Sequence, residues 1–270
     1  MEIKPKKSLG QNFLRDKKVL QKIIEVSELN SEDFVIEIGP GEGVLTEQLA
    51  KYVKKIVAIE IDPVLSNLLS NKLRNKKNVE IIHADILKIN LPEIIKNNVE
   101  TPRRGVSTPS DYKLIANIPY YITSPIIRLF LEQPAQPQAF FLMIQKEVAQ
   151  RIVAKKGRQS ILSVSIQYYA TAKIMFTVDK KAFFPVPKVD SAIIKIIPAK
   201  KFNKENDKNF FRIVKAGFSA KRKTLLNNLS SSLQLDKNSV EEKLKTLGIS
   251  PIARAQELDI ADWQKLVKML

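Results

Sequence analysis

The stretch Phe34-Val-Ile-Glu-Ile-Gly39-Pro-Gly41-Glu-Gly43 decides the fold. A β-favouring run, Phe34–Ile38, passes straight into closely spaced glycines, and helical spacing resumes at Leu45. Glycines at such a turn let the backbone approach a ligand with no Cβ in the way. Downstream, residues 56–61, Val79–His83 and residues 114–116 read as further short apolar strands. Helical patterns over residues 45–52 and 65–73 separate the first three strands. Strand and helix in alternation predict an α/β fold, a Rossmann-like doubly wound sheet. Its ligands belong at the carboxyl ends of the strands.

Upstream, Asp16 is placed to N-cap an amphipathic helix running to about residue 29. Residues 97–112 (NNVETPRRGVSTPSDY) are polar, have no apolar period, and predict a surface loop. Beyond them the pattern predicts a helix after Pro125, a strand over 140–144, and helices near 146–153 and 160–169. Strand signals at 173–178 and 191–197 flank the turn-rich 183–188 and suggest a closing antiparallel pair. From Phe210 the pattern is helical, with Ser239 and Glu242 spaced as a capping box and Asp259 opening a helix that carries Trp263 and Leu266. The expected division is residues 1–200 as the sheet domain and 201–270 as a small all-helical domain.

The 270 residues carry a formal net charge of +17, spread along the chain, which favours a polyanionic partner over a merely lysine-rich surface. Cysteine is absent, which excludes disulfides, thiolate zinc sites and a cysteine nucleophile. No apolar stretch is long enough for a signal peptide or a membrane span. The expectation is a cytoplasmic, monomeric protein with no metal centre and no membrane partner. His83 is the only histidine and is taken as structural.

Glu60 ends the second strand and Asp85 follows the third. A carboxylate at the first position can accept from both ribose hydroxyls of a nucleotide cofactor, and one at the second from an adenine amino group. NAD suits the first of these, but Val44, Leu45 and Thr46 stand where the third glycine of a dinucleotide fingerprint would fall. S-adenosylmethionine has no pyrophosphate and does not need that spacing.

Asn117-Ile-Pro119-Tyr120 follows the fourth strand, at the expected switch point of the sheet. The exocyclic N6 of adenine is a poor nucleophile, because its lone pair is delocalised into the ring. Two acceptors aimed at its hydrogens, the Asn117 side-chain oxygen and the Ile118 carbonyl presented by rigid Pro119, would draw it toward tetrahedral geometry. Tyr120 offers a face for a flipped-out base, worth roughly 1–3 kcal/mol. Out of context the same residues would be a proline turn with a packed tyrosine.

With these motifs the chain resembles the rRNA adenine N6-dimethyltransferase family nearly end to end. The matching segments are Ser8-Leu-Gly-Gln-Asn-Phe-Leu14, Glu37-Ile-Gly-Pro-Gly-Glu-Gly43, Ile59-Glu-Ile-Asp62, Ala84-Asp85, Asn117-Ile-Pro-Tyr120 and Phe184-Pro-Val-Pro-Lys-Val-Asp-Ser191. The resemblance implies that Asn12 and Leu14 fold over S-adenosylmethionine and join Gly39, Gly41, Glu60, Asp85 and Asn117 as its contacts. It also implies that Phe184 is a second aromatic wall of the adenine pocket, facing Tyr120. Gln145-Lys-Glu-Val-Ala-Gln-Arg151, residues 217–229 and Gly248-Ile-Ser-Pro-Ile-Ala-Arg254 resemble the small-subunit branch rather than the erythromycin-resistance methylases of large-subunit rRNA. The implied substrate is two adjacent adenines in the 3′-terminal hairpin loop of small-subunit (16S) rRNA, in an immature 30S particle. Tyr121 departs from the family pattern, which expects Asn there, and the 97–112 loop is long. The alternatives are the large-subunit methylase and an RNA-binding assembly or transcription factor that keeps the fold without the activity. The basic run Lys221, Arg222 and Lys223 lies beside Leu225, Leu226 and Leu229. One helix cannot bury both sets, so the basic run is expected to face outward toward RNA phosphates.

Overall fold

In the computed structural model, residues 4–98 and 110–270 are described. A 3-10 turn (Lys7–Leu9) leads into a two-residue strand, β1 (Phe13–Leu14), and then helix α1 (Lys17–Val26). Asp16 caps α1 by accepting from the backbone N–H groups of Lys18 and Val19, and Leu20, Ile23 and Ile24 form its buried face. The helix stops short of the expected residue 29, after which Glu28 takes a positive φ.

Strands and helices then alternate as β2 (Phe34–Ile38), α2 (Val44–Leu49), β3 (Lys55–Glu60), α3 (Pro63–Lys72), β4 (Val79–His83), α4 (Leu91–Asn98) and β5 (Ser110–Asn117). Helix α4 was not expected. Its Pro92 sits in the first turn, where a proline is tolerated, and Leu91, Ile94 and Ile95 form its buried stripe. The expected 97–112 loop therefore has ordered ends in α4 and β5, and its residues 99–109 lie outside the described residues. There follow α5 (Thr123–Leu131), β6 (Pro137–Gln145), α6 (Lys146–Ile152), α7 (Ile161–Tyr169), β7 (Ala170–Val178), β8 (Phe183–Phe184) and β9 (Ser191–Pro198).

Seven strands form one sheet in the order β4-β3-β2-β5-β6-β9-β7. The first five pair in parallel, and β9 runs antiparallel to β6. The chain leaves β2 through β3 and β4, then returns to build β5 on the other side of β2. The switch point is thus between β2 and β5, with Ile38 opposite Ala116. Every residue of β2 is buried, as a strand covered on both faces requires.

The chain divides into two compact units, one of residues up to Ala149 with Ala172–Pro198, the other of Gln150–Thr171 with Ala199–Leu270. Residues 150–171, assigned to the sheet domain on the sequence, thus cluster with the C-terminal helices α8 (Lys204–Gly217), α9 (Leu225–Leu233), α10 (Lys237–Thr246) and α11 (Ile260–Met269). The cause is a buried network. Asp207 of α8 accepts from the Tyr168 and Tyr169 hydroxyls at 2.8 and 2.9 Å, and Tyr168 stacks on Phe210 with ring centroids 3.7 Å apart.

Helix α10 is capped by Asp236, whose carboxylate accepts from the Ser239 backbone N–H at 2.8 Å. The expected Ser239–Glu242 capping box gives way to this stronger acceptor one turn earlier. Asp259 caps α11 in a reciprocal box with Asp262, and Trp263 and Leu266 are fully buried. Lys221, Arg222 and Lys223 are exposed as expected, but in the turn before α9 rather than on a helix. Among the described residues no helix is long and apolar enough to cross a membrane.

Candidate active site

A cleft of about 200 Å3 opens at the carboxyl ends of β2, β3 and β5. Its floor is the glycine loop. Gly39 and Gly41 hold φ of +64° and +60°, and a side chain on Gly41 would meet the Phe13 ring at 3.1 Å. Both glycines therefore serve the turn, and Gly41 also allows the close packing of Phe13 in the N-terminal strap above it.

Asn12 and Leu14 of that strap line the same cleft, together with Glu60, Asp85, Asn117, Pro119 and Tyr120. Glu60 is buried, with one carboxylate oxygen accepting from the Gly41 N–H at 3.1 Å and the other from the Asp62 N–H at 2.9 Å. Burial pushes its carboxyl up, against the opposing pull of these backbone bonds. Asp85 is half-buried and accepts from the Leu87 N–H at 3.0 Å. The Asn117 amide donates to the Asn12 carbonyl at 3.1 Å, which leaves the side-chain oxygen as the end available to accept. The Tyr120 hydroxyl is 2.8 Å from the Ser191 hydroxyl, and Ser191 is fully buried where β9 begins. Burial pushes the Tyr120 phenol up.

Phe184 is the exception among the expected residues. It stands opposite Phe13 in the two-residue pairing of β8 with β1, it is 53% exposed, and it is not part of the cleft lining. His83 is exposed on β4, with its ring 3.3 Å from the Ile61 carbonyl.

Sequence reasoning gave no role to Glu37, Asp62 or Ser191. Asp62 ties the strap down, accepting from Lys6 Nζ at 2.8 Å and Gln11 Nε2 at 3.1 Å. Burial alone would raise its carboxyl, but these donors and the Val64 N–H hold it below the ordinary value. Glu37 is 1% exposed, lines the cleft, and has a carboxylate oxygen with no hydrogen-bond partner. Burial pushes its carboxyl up to about 8, and the charge of Glu60 adds to the shift. A carboxylate interrupting an apolar strand just before a glycine loop was the available signal.

A buried acid beside backbone-held carboxylates, at the switch point of a doubly wound sheet, defines a nucleotide-type cofactor site joined to an Asn-Ile-Pro-Tyr turn. The chain belongs to the ribosomal RNA adenine dimethylase family, whose model matches residues 3–270. It is 42% identical over 266 residues to a protein of Dehalococcoides mccartyi named ribosomal RNA small subunit methyltransferase A, covering 98% of this chain and 88% of the relative. A Geobacillus kaustophilus protein of the same name is 40% identical over 272 residues, covering 98% and 90%. Among solved structures, a dimethyladenosine transferase from Plasmodium falciparum superposes with a TM-score of 0.75 at 27% identity, covering 94% of this chain and 95% of that one. The 23S rRNA methyltransferase ErmE gives a TM-score of 0.72 at 30% identity, covering 96% and 99%.

Proposed function

We propose that this chain dimethylates the N6 amino groups of two adjacent adenines in the 3′-terminal hairpin loop of small-subunit rRNA, within an immature 30S particle, using S-adenosylmethionine. The single observation that carries the reading is the meeting of the Asn117–Tyr120 turn with the glycine loop across β2 and β5. The family's large-subunit branch is the second reading, and the 30% identity to ErmE speaks for it. Identity of 42% to the small-subunit relative favours the first. We assign the protein to the cytoplasm as a monomer.

The residues present fit the cofactor. The partnerless oxygen of Glu37 suits its ammonium group, Glu60 retains lone pairs for the ribose hydroxyls, and Asp85 suits the adenine amino group. When bound, the cofactor supplies an electrophilic methyl group on a sulfonium. The Asn117 oxygen and the Ile118 carbonyl accept from the two N6 hydrogens and draw the nitrogen toward tetrahedral geometry. Acceptors held in place before reaction stabilise the charge that develops on N6 as its bond to the methyl carbon forms. No dedicated base is needed, since the N6 proton becomes acidic once the methyl is attached and is released to solvent water. Tyr120 stacks on the flipped base, and Ser191 fixes the direction of its phenol. Phe184 is assigned to base binding on the family resemblance alone.

Lys221, Arg222 and Lys223 hold RNA phosphates from the second unit, a contact that positions without reading sequence. Methyl transfer from labelled S-adenosylmethionine to immature small subunits, and not to protein-free large-subunit rRNA, is the expected result. The reverse preference moves the chain to the other branch, and no transfer to either makes it a binding factor.

A further inference from the structure

Tyr120 and Tyr121 are chain neighbours that line one cleft, yet they are held differently. Tyr120 is half-buried and tied through its hydroxyl, whereas Tyr121 is 61% exposed. Scattered exposed apolar side chains are ordinary on a protein surface. Tyr121 differs in lining the cleft itself, directly after the ring of Tyr120. Its position is also built. A Cβ on Gly10 would lie in ordinary contact with Tyr121, 3.4 Å from Cε1 and 3.5 Å from Cδ1, so one edge of the ring runs alongside the Gly10 backbone. Gly10 has a φ of +63° and closes the 3-10 turn that exposed Lys7 opens.

We propose that Tyr121 is a base-stacking subsite for the nucleotide that flanks the target adenine in the RNA strand. The proposal rests on the adenine-methylating reading above and adds a second nucleotide to it. Extruding a base strips its neighbour of a stacking partner, which is part of the cost of flipping. An aromatic ring one residue from the target's own platform replaces the lost stack. Any base can stack because each has a π-face, but the two-ring face of a purine overlaps the tyrosine more than the single ring of a pyrimidine does. Lys7, three residues from Gly10, supplies a cation for the adjoining phosphate.

The test measures methyl transfer to immature small subunits whose rRNA carries either adenine or uracil beside a fixed target adenine. With flanking adenine, Tyr121→Ala should raise the subunit KM about tenfold at unchanged S-adenosylmethionine affinity. Tyr121→Phe should restore the parent value, since the ring and not the hydroxyl does the stacking. With flanking uracil the parent should weaken toward the Ala variant, and the Ala variant should weaken little further. An unchanged KM for Tyr121→Ala, failure of Phe to rescue, or full multiplication of the two losses overturns the subsite while leaving the methylation reading intact. A parent protein that methylates no adenine on either substrate overturns both.

Discussion

The carboxylate side of the cleft and its aromatic lip are secured by opposite means. Glu37 and Glu60 are almost wholly buried, and Glu60 and Asp62 are held by backbone N–H groups or by donors from the strap. On the lip, Tyr120 hangs on one hydroxyl contact and Tyr121 is open to solvent. The difference matches the sizes of the two substrates proposed for these sides. A small cofactor is recognised by groups fixed before it arrives, while a base carried on a folded RNA needs platforms it can reach from outside. Asn117 joins the two sides, because its amide is anchored to the strap while its oxygen, in the proposed mechanism, accepts from the base.

Breaking that junction should give the largest effect. Asn117→Ala is expected to slow methyl transfer by about a hundredfold or more while altering affinity for either substrate far less, since its acceptor is used most in the transition state. Equal losses in binding and rate would reduce Asn117 to a positioning residue.

Glu37 comes next. Its carboxyl is pushed up to about 8 from an ordinary 4.5, so the unfolded chain ionises first as pH rises. The folded state binds the extra proton between those values, and stability falls with rising pH across that window by about 1.4 kcal/mol per unit from this group. Its contribution is most favourable below 4.5. Glu37→Gln should flatten that slope in denaturant titrations from pH 4.5 to 8, and should also weaken S-adenosylmethionine binding. Parallel slopes for parent and variant would contradict the buried-acid account.

Glu60→Ala should weaken cofactor binding by about 1–3 kcal/mol in calorimetry, the cost of leaving hydroxyls unpaired. An unchanged affinity would remove it from the site. Ser191→Ala should have the smallest effect, about 1 kcal/mol in the rate of transfer, with cofactor affinity unaltered. Tyr120→Phe should match it, and the double variant should be no worse than either single one. Additive losses would mean that the two hydroxyls act separately.

What was legible in the sequence followed local pattern. The bounds of β2 and β4, the Asp16 and Asp259 caps, and the strand-end places of Glu60, Asp85 and Asn117 all depend on residues near one another in the chain. What escaped depends on contacts between distant segments. No period announces that Phe13 pairs with Phe184, that Ser191 meets Tyr120, or that Asp207 collects two tyrosine hydroxyls from α7. Helix α4 escaped because Pro92 reads as a breaker unless its place in the first turn is known. The Ser239 box lost to Asp236 because a carboxylate one turn upstream takes the Ser239 N–H that the Glu242 side chain would have bound.

The central claim is tested most directly by mass spectrometry of small-subunit rRNA after incubation of immature subunits with the protein and S-adenosylmethionine. The account predicts two adjacent N6,N6-dimethyladenines in the 3′-terminal hairpin loop, absent when Asn117→Ala replaces the parent over the same interval. Unmodified adenines there, or dimethyladenine located in large-subunit rRNA instead, would contradict it.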